Sequence, residues 1–289
     1  MKKNKKTVNP DYTDNKKITW EPTAWMKNID DQKSTALLSI PGTHESCATY
    51  SPDGDMLGII ICQDQSVEQQ LQEGIRFLDI RCRAFNGQFT IHHGLVYQQI
   101  NFGDVLNQCI DFLSSYPSET IFMRVKQEYS TVSDADFIAI FNGHYGIFHQ
   151  YMYLDSNIPS LGQVRGKIVI ISNVSGLPGI PWDVFYIQDD YDAVGLFEKW
   201  EAISEHFNLT IKNHSSGGKD FFINFLSIQG NPPHWTIKKM SYNINGSFAT
   251  MLQEGNNVSG LGIGIIPMDF PNLIGEVIGL IIDSNFKKT

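Results

Sequence analysis

The 289-residue chain is predicted to be an α/β protein built as a single barrel. Three observations lead there. Short apolar runs alternate with amphipathic stretches along the chain, the pattern of a parallel sheet crossed by helices. Six runs, "SIPGTH", "DIRCR", "IHHG", "MRVKQE", "IQDDY" and "IPMDF", carry ionisable groups at or just past their ends. A closed barrel gathers all its strand ends on one catalytic face, whereas a doubly wound sheet draws its ligand groups from fewer strands near a switch point. No linker rich in Pro, Gly or Ser divides the chain, and no internal repeat is visible.

The elements follow in order. A first strand over 36–40 is ended by Pro41 and Gly42, a tight turn that presents His44 and Glu45. A helix over 67–73 leads to a strand over 77–82, then to one over 89–92 that ends in two histidines. The helix over 105–115, "VLNQCIDFLSS", precedes a strand over 121–126, and the helix over 135–142 precedes one over 168–172. Strands over 184–188, 222–226 and 262–268 alternate with helices over 196–205 and 244–253, and a helix over 273–282 closes the chain. "GLGIGII" (260–266) runs through a strand rather than opening a helix, so its glycines are read as close packing and not as a dinucleotide fingerprint.

Composition excludes several classes. Lys and Arg total 22 against 31 Asp and Glu, a formal net charge of −9, which argues against nucleic acid and against electrostatic attachment to an anionic membrane. Residues 1–17 begin with lysines but contain no apolar core, so they read as a polar tail rather than a signal peptide; residues 18–289 are expected to form the single barrel. No apolar run reaches the ~20 residues that span a bilayer. Cys47, Cys62, Cys82 and Cys109 lack C-x-x-C spacing, which disfavours zinc; a Cys47–Cys62 bridge is open outside the cytosol.

The chemistry sits at the strand ends. Alternation sends Asp79 and Arg81 to one side of their strand and Ile80 and Cys82 to the other. If the apolar pair faces the helices, the charged pair points into the barrel, where an arginine needs the partner that Asp79 supplies. Of the adjacent His92 and His93 only one can face inward. Two imidazoles, His44 and one of this pair, together with Arg81 provide a base, an acid and an anion holder, the requirement of phosphoryl chemistry at neutral pH. Lys126 adds a cation and Asp269 an orienting carboxylate. Asp189 and Tyr191 suit a polyol, the carboxylate accepting from hydroxyls and the ring covering a sugar face.

Read together, "SIPGTHES", "QLQEGIRFLDIR", "IHHG", "PSETIFMRVKQEY" and "IQDDY" resemble the bacterial phosphatidylinositol-specific phospholipases C, in order, from about residue 20 to residue 286. The resemblance implies a distorted, partly open TIM-type barrel that cleaves phosphatidylinositol, and possible action on glycosylphosphatidylinositol anchors stays open. It implies His44 as general base, His93 as general acid, Arg81 on the phosphate, Asp269 orienting His44, Asp79 and Lys126 in the charged network, and Asp189 and Tyr191 on the inositol ring. Arg81 stands where calcium-dependent relatives hold a metal, so no metal or other cofactor is expected. Glu45 stands where bacterial members have an aspartate that assists the acid, and Asn173 where a basic residue can face the inositol. Secretion, a monomer and brief contact with a phosphatidylinositol-bearing membrane are the further expectations.

Two segments offer that contact. "MLGIIIC" (56–62), with Leu57 and Ile60, packs five large apolar residues into seven positions beside the His44 loop, and reads either as a rim or as a short buried element. In "NPPHW" (231–235) the prolines would hold Trp235 outward at a lipid interface. A glycosidase using Asp189 and Asp190 leaves the histidines and Arg81 idle. A non-catalytic inositol-lipid binder of the same fold is the remaining alternative, favoured only by Glu45.

Overall fold

In the computed structural model the described residues are 19–254 and 258–287; the tail expected over 1–17 lies outside them. The elements are β1 (Ser39–Thr43), α1 (Val67–Gln72), β2 (Phe77–Phe85), β3 (Gln88–His93), β4 (Val96–Asn101), α2 (Phe102–Ser115), β5 (Ile121–Gln127), α3 (Asp134–His144), β6 (Met152–Tyr153), α4 (Leu161–Val164), β7 (Ile168–Asn173), β8 (Ile180–Pro181), β9 (Tyr186–Gln188), α5 (Leu196–Ser215), β10 (Phe222–Asn224), α6 (Ile237–Gln253), β11 (Gly264–Met268) and α7 (Val277–Asp283).

One curled sheet runs β6-β7-β5-β2-β1-β11-β10-β9 with every neighbouring pair parallel. Its ends, β6 and β9, do not pair with each other among the described residues, so the barrel stays open there, as expected. The β3–β4 hairpin hangs antiparallel from β2, and β8 adds to β7. Register places Asp79 beside Arg124, and Arg81, Lys126 and Asn173 side by side across β2, β5 and β7. Charged residues from three strands thus reach one height of the barrel.

Local sequence explains the helices. Ser66 and Gln69 form a reciprocal capping box that starts α1, and Thr236 accepts from the Lys239 amide to start α6. Along α2, Val105, Leu106, Cys109, Phe112 and Leu113 repeat at helical spacing and bury one face. Helix α5 runs ten residues beyond the expected end at 205, because Ile203, Phe207, Thr210 and His214 keep one face buried. Helix α6 begins seven residues before the expected start at 244, at the Thr236 cap. Helix α7 starts later than expected because residues 271–273 form a 3-10 turn.

The first strand corrects its expectation. β1 covers 39–43, not 36–40, and Pro41 and Gly42 lie within it rather than in a turn. Gly42 is there for close approach, since a Cβ would sit 2.8 Å from Phe77 Cβ on the neighbouring strand. The chain turns only at Glu45, whose φ of 44° is left-handed. Gly264 fits the packing reading, its positive φ and the nearby Phe222 carbonyl leaving no room for a side chain. All four cysteines are buried and free, so Cys47 and Cys62 are not bridged. No helix among the described residues is long and apolar enough to cross a membrane.

Opposite the loaded strand ends, an ion pair closes the barrel floor. Arg76, just before β2, donates through Nε and Nη2 to Glu119 Oε2 at 3.0 and 2.9 Å, and both side chains are fully buried. The remaining guanidinium donors reach the carbonyls of Leu71, Ile75 and Pro22, and Glu119 accepts from the Met26 amide. Removing one partner strands the other charge. Glu119→Ala is therefore expected to lose about 3–5 kcal/mol in chemical denaturation while the folded fraction keeps its strand-end chemistry. A loss under about 1 kcal/mol, the scale of a surface pair, would show that the pair does not hold the floor.

Candidate active site

At the C-terminal strand ends a cavity of about 380 Å³ is lined by His44, Glu45, Arg81, His93, Lys126 and Glu128, with Asp189 and Tyr191 also on its wall. A larger cavity of about 650 Å³ over β7 and β8, lined by Asn173 and Trp182 among others, contains no histidine or arginine. The acid–base groups therefore share the smaller cleft.

His44 follows β1 directly, and its ring has two fixed partners. Nδ1 lies 2.8 Å from Asp269 Oδ1, and Nε2 lies 3.0 Å from Arg81 Nη2. An ionised carboxylate can only accept and a guanidinium can only donate, so the proton sits on Nδ1 and Nε2 keeps its lone pair. Burial disfavours the charged ring, but the charge and hydrogen bond of Asp269 outweigh it, and the His44 pKa is raised above the ordinary imidazole value; Arg81 opposes this and Asp79 adds to it. Asp269 is itself buried just past β11, and its carbonyl accepts from Asn245 of α6.

Arg81 stands among three carboxylates: Glu45 at 2.6 Å, Asp79 at 3.3 Å and Glu128 at 3.8 Å. Asp79 also receives Arg124 Nη1 at 3.3 Å. Burial alone would push the Asp79 carboxyl up, but Arg124 and Arg81 hold it well below the usual carboxylate range. Glu45 is buried, and its carboxylate lies 3.9 Å from His93 Nε2, too far for a hydrogen bond. Its extra methylene carries it onto Arg81. His93 donates from Nδ1 to the Ile60 carbonyl at 2.7 Å, so its Nε2 is left for the cleft. His92 turns away, as alternation requires, and packs beside Tyr97.

Lys126 is one-third exposed and pairs with Glu128 at 3.6 Å. Asp189 and Tyr191 follow β9, and the Tyr191 ring is half exposed at the cleft. Asn173 does not face this cleft; its side-chain Oδ1 accepts from Arg124 Nη2 and Nε at 2.7 and 3.0 Å. Leu57 is 55% exposed, but Met56 before it is 85% exposed, whereas Ile60 is partly buried. Trp235 is partly buried against the core, its Nε1 donating to the Gln229 carbonyl at 3.1 Å.

Sequence reasoning missed four residues. Arg124 lies two residues before Lys126 on the same strand face and stacks 3.9 Å over the Trp182 ring, so alternation could have found it. Glu128 ends the quoted "MRVKQE". Met56 opens the quoted "MLGIIIC". Lys199 left no signal: it is fully buried on α5, burial lowers its pKa to about 8 against the pull of Asp189 and Asp190, and Nζ donates to Gln188 at 3.1 Å. Among the described residues, one group of metal-ligand type gathers here, His44, Cys62 and Asp269, with donor atoms within 4.8 Å. Two of the three already share the hydrogen bond that orients His44, and burial raises the Cys62 thiol well above its ordinary pKa.

A half-open parallel barrel with imidazoles and a guanidinium around one cleft defines an α/β barrel that works from its strand ends. The pattern of the phosphatidylinositol-specific phospholipase C X domain matches residues 42–173. The 1-phosphatidylinositol phosphodiesterase of Staphylococcus aureus strain Newman is 30% identical over 305 residues, covering 93% of this chain and 96% of its own. The solved phosphatidylinositol-specific phospholipase C of Listeria monocytogenes superposes with a TM-score of 0.80 at 27% identity, covering 92% and 99% of the two chains. A structure of the Staphylococcus aureus enzyme, whose membrane binding has been modulated, gives 0.79 at 28%, covering 92% and 98%. The chain belongs to the phosphatidylinositol-specific phospholipase C family.

If Asp269 sets the protonation of His44, then Asp269→Asn removes the main raising influence and leaves burial and Arg81, both of which lower the pKa, opposed only by the smaller effect of Asp79. An NMR titration of the ring is expected to move its midpoint from above the ordinary imidazole value to below it. A midpoint that stays put would assign the raised pKa to another group.

Proposed function

We propose that the protein cleaves phosphatidylinositol by intramolecular transphosphorylation, releasing diacylglycerol and inositol 1,2-cyclic phosphate. The observation that carries this reading is the setting of His44, with Nδ1 on a buried carboxylate and Nε2 beside Arg81 in the cleft, which selects the tautomer whose Nε2 lone pair can act as base. His44 Nε2 takes the proton of the inositol 2-hydroxyl, and Asp269 stabilises the imidazolium that forms. The freed oxygen attacks the adjacent phosphorus. Arg81 turns from His44 to the phosphate oxygens, where a planar guanidinium meets two at once and balances the developing charge.

His93, which the reaction requires to enter as the imidazolium with its Nδ1 proton on the Ile60 carbonyl, then supplies its Nε2 proton to the diacylglycerol oxygen as the phosphorus–oxygen bond breaks, and is left neutral. One proton has moved from hydroxyl to His44 and another from His93 to the leaving group, so charge is conserved. Asp189 and Tyr191 are suited to the inositol hydroxyls and ring face, and Lys126 to the phosphate side. Glu45, between Arg81 and His93, links the anion holder to the acid electrostatically. The protein is proposed to act as a secreted monomer that touches the membrane briefly.

His44→Ala and His93→Ala are each expected to lower turnover of a soluble substrate roughly a hundred- to ten-thousand-fold with the fold intact. Phosphorus NMR should detect the cyclic product with the unaltered enzyme. Near-normal activity in either variant would remove that histidine from the reaction, and lipid binding without any cyclic product would favour the non-catalytic binder.

The acidic chain must meet a lipid surface through apolar area, and the exposed Met56 and Leu57 beside the cleft loop provide it. Met56→Ser with Leu57→Ser is expected to lower activity on phosphatidylinositol vesicles while turnover of a short-chain soluble substrate survives. Added salt should weaken vesicle binding little. Equal losses on both substrates would show that these residues serve the fold instead.

A further inference from the structure

Asp55 lies outside the cleft, and the reaction above gives it no part. Its carboxylate nevertheless organises the segment that touches His93. Oδ1 accepts from the amides of Ile59 at 2.9 Å and Ile60 at 3.1 Å, and Oδ2 accepts from the Ile61 amide at 2.9 Å. Three consecutive backbone donors, in a stretch with neither helix nor strand, are thus satisfied by one side chain. Between those donors the Ile60 carbonyl points away, and it is the acceptor for His93 Nδ1 at 2.7 Å.

The loop has further anchors. Asp55 holds a left-handed φ of 58°, its amide donates to Asp53 Oδ1 at 2.9 Å, and its carbonyl accepts from the Gly58 amide at 2.8 Å. The Gly58 carbonyl accepts in turn from the Ile237 amide at the start of α6, also at 2.8 Å. The loop is therefore closed on itself between Asp53 and Gly58 and tied through Gly58 to the start of α6, and its later part is set by the Asp55 carboxylate.

We propose that Asp55 is a positioning residue for His93: by holding the Ile59–Ile61 amides it aims the Ile60 carbonyl, which orients the ring and keeps Nε2 toward the leaving group. A carbonyl can only accept, so this contact requires the proton on Nδ1 and sets the orientation in which Nε2 faces the cleft. The inference rests on His93 acting as the general acid in the proposed function.

The test compares two soluble substrates with the full chain: short-chain phosphatidylinositol, whose alkoxide leaving group needs a proton, and inositol 4-nitrophenyl phosphate, whose phenolate leaves without one. Asp55→Ala is expected to lower kcat on the first roughly ten- to hundredfold with little change in KM, and to leave the second within about threefold, because only the acid is misplaced. Asp55→Asn, which keeps one acceptor oxygen, should fall between. Adding Asp55→Ala to His93→Ala should cause no further loss. His93→Ala alone is the reference: if it fails to spare the nitrophenyl substrate, the general-acid reading fails and the proposal with it. If His93→Ala does spare it but Asp55→Ala lowers both substrates equally, or neither, the reading stands and the role assigned to Asp55 is overturned.

Discussion

The cleft depends on one buried carboxylate. Asp79 is wholly enclosed, yet it receives Arg81 on Oδ2 and Arg124 on Oδ1, each at 3.3 Å. Neither guanidinium could stand at this depth alone, since an unpaired buried charge costs several kcal/mol. The same residue also ties two strands together. Its Oδ2 accepts from the Glu45 amide, its carbonyl accepts from the Ser46 amide, and its own amide donates to Ser46 Oγ. The left-handed turn that sets His44 and Glu45 over the cleft is thereby stitched to the strand that carries Arg81. Through Arg124 and Asn173 the network continues across β5 to β7.

Three carboxylates around Arg81 resolve an apparent conflict in the charge. A chain with a net charge of −9 repels an anionic phosphate at long range. At the cleft, however, Arg81, Arg124 and Lys126 face Asp79, Glu45 and Glu128, so the cluster is balanced before substrate arrives. A phosphate that draws Arg81 away from His44 Nε2 frees the lone pair as it supplies the guanidinium with a new anion. In the proposed reaction, substrate binding and activation of the base are then one event.

Much of this was legible in the sequence, and what was not has physical reasons. Alternation was enough to pair Asp79 with Arg81 and to send only one of His92 and His93 to the cleft, because a strand offers no third direction. Strand β1 was misread because Pro41 and Gly42 normally break strands, and only the packing of Phe77 against Gly42 shows why they do not here. That Trp235 packs partly against the core was not legible, because a tryptophan in a proline-rich loop carries no mark of the carbonyl its indole meets. Lys199 with Gln188, and Arg124 with Asn173, join residues on different elements, and such pairings appear only once the helix lies on the sheet and β5 and β7 take their places side by side.

The segment over 55–61 was ambiguous for a different reason: it does two things at once. Its first apolar residues, Met56 and Leu57, are exposed, while its last three turn their amides onto Asp55 and one carbonyl onto His93. A buried strand would have spent those amides on a sheet partner, and a mere surface loop would have left them to water. Paired with a carboxylate inside the loop itself, they let an apolar tip stand clear of the barrel without loosening the backbone that meets the His93 ring. That separates the needs of a lipid surface, which rewards exposed apolar area, from those of proton transfer, which requires a side chain held in place.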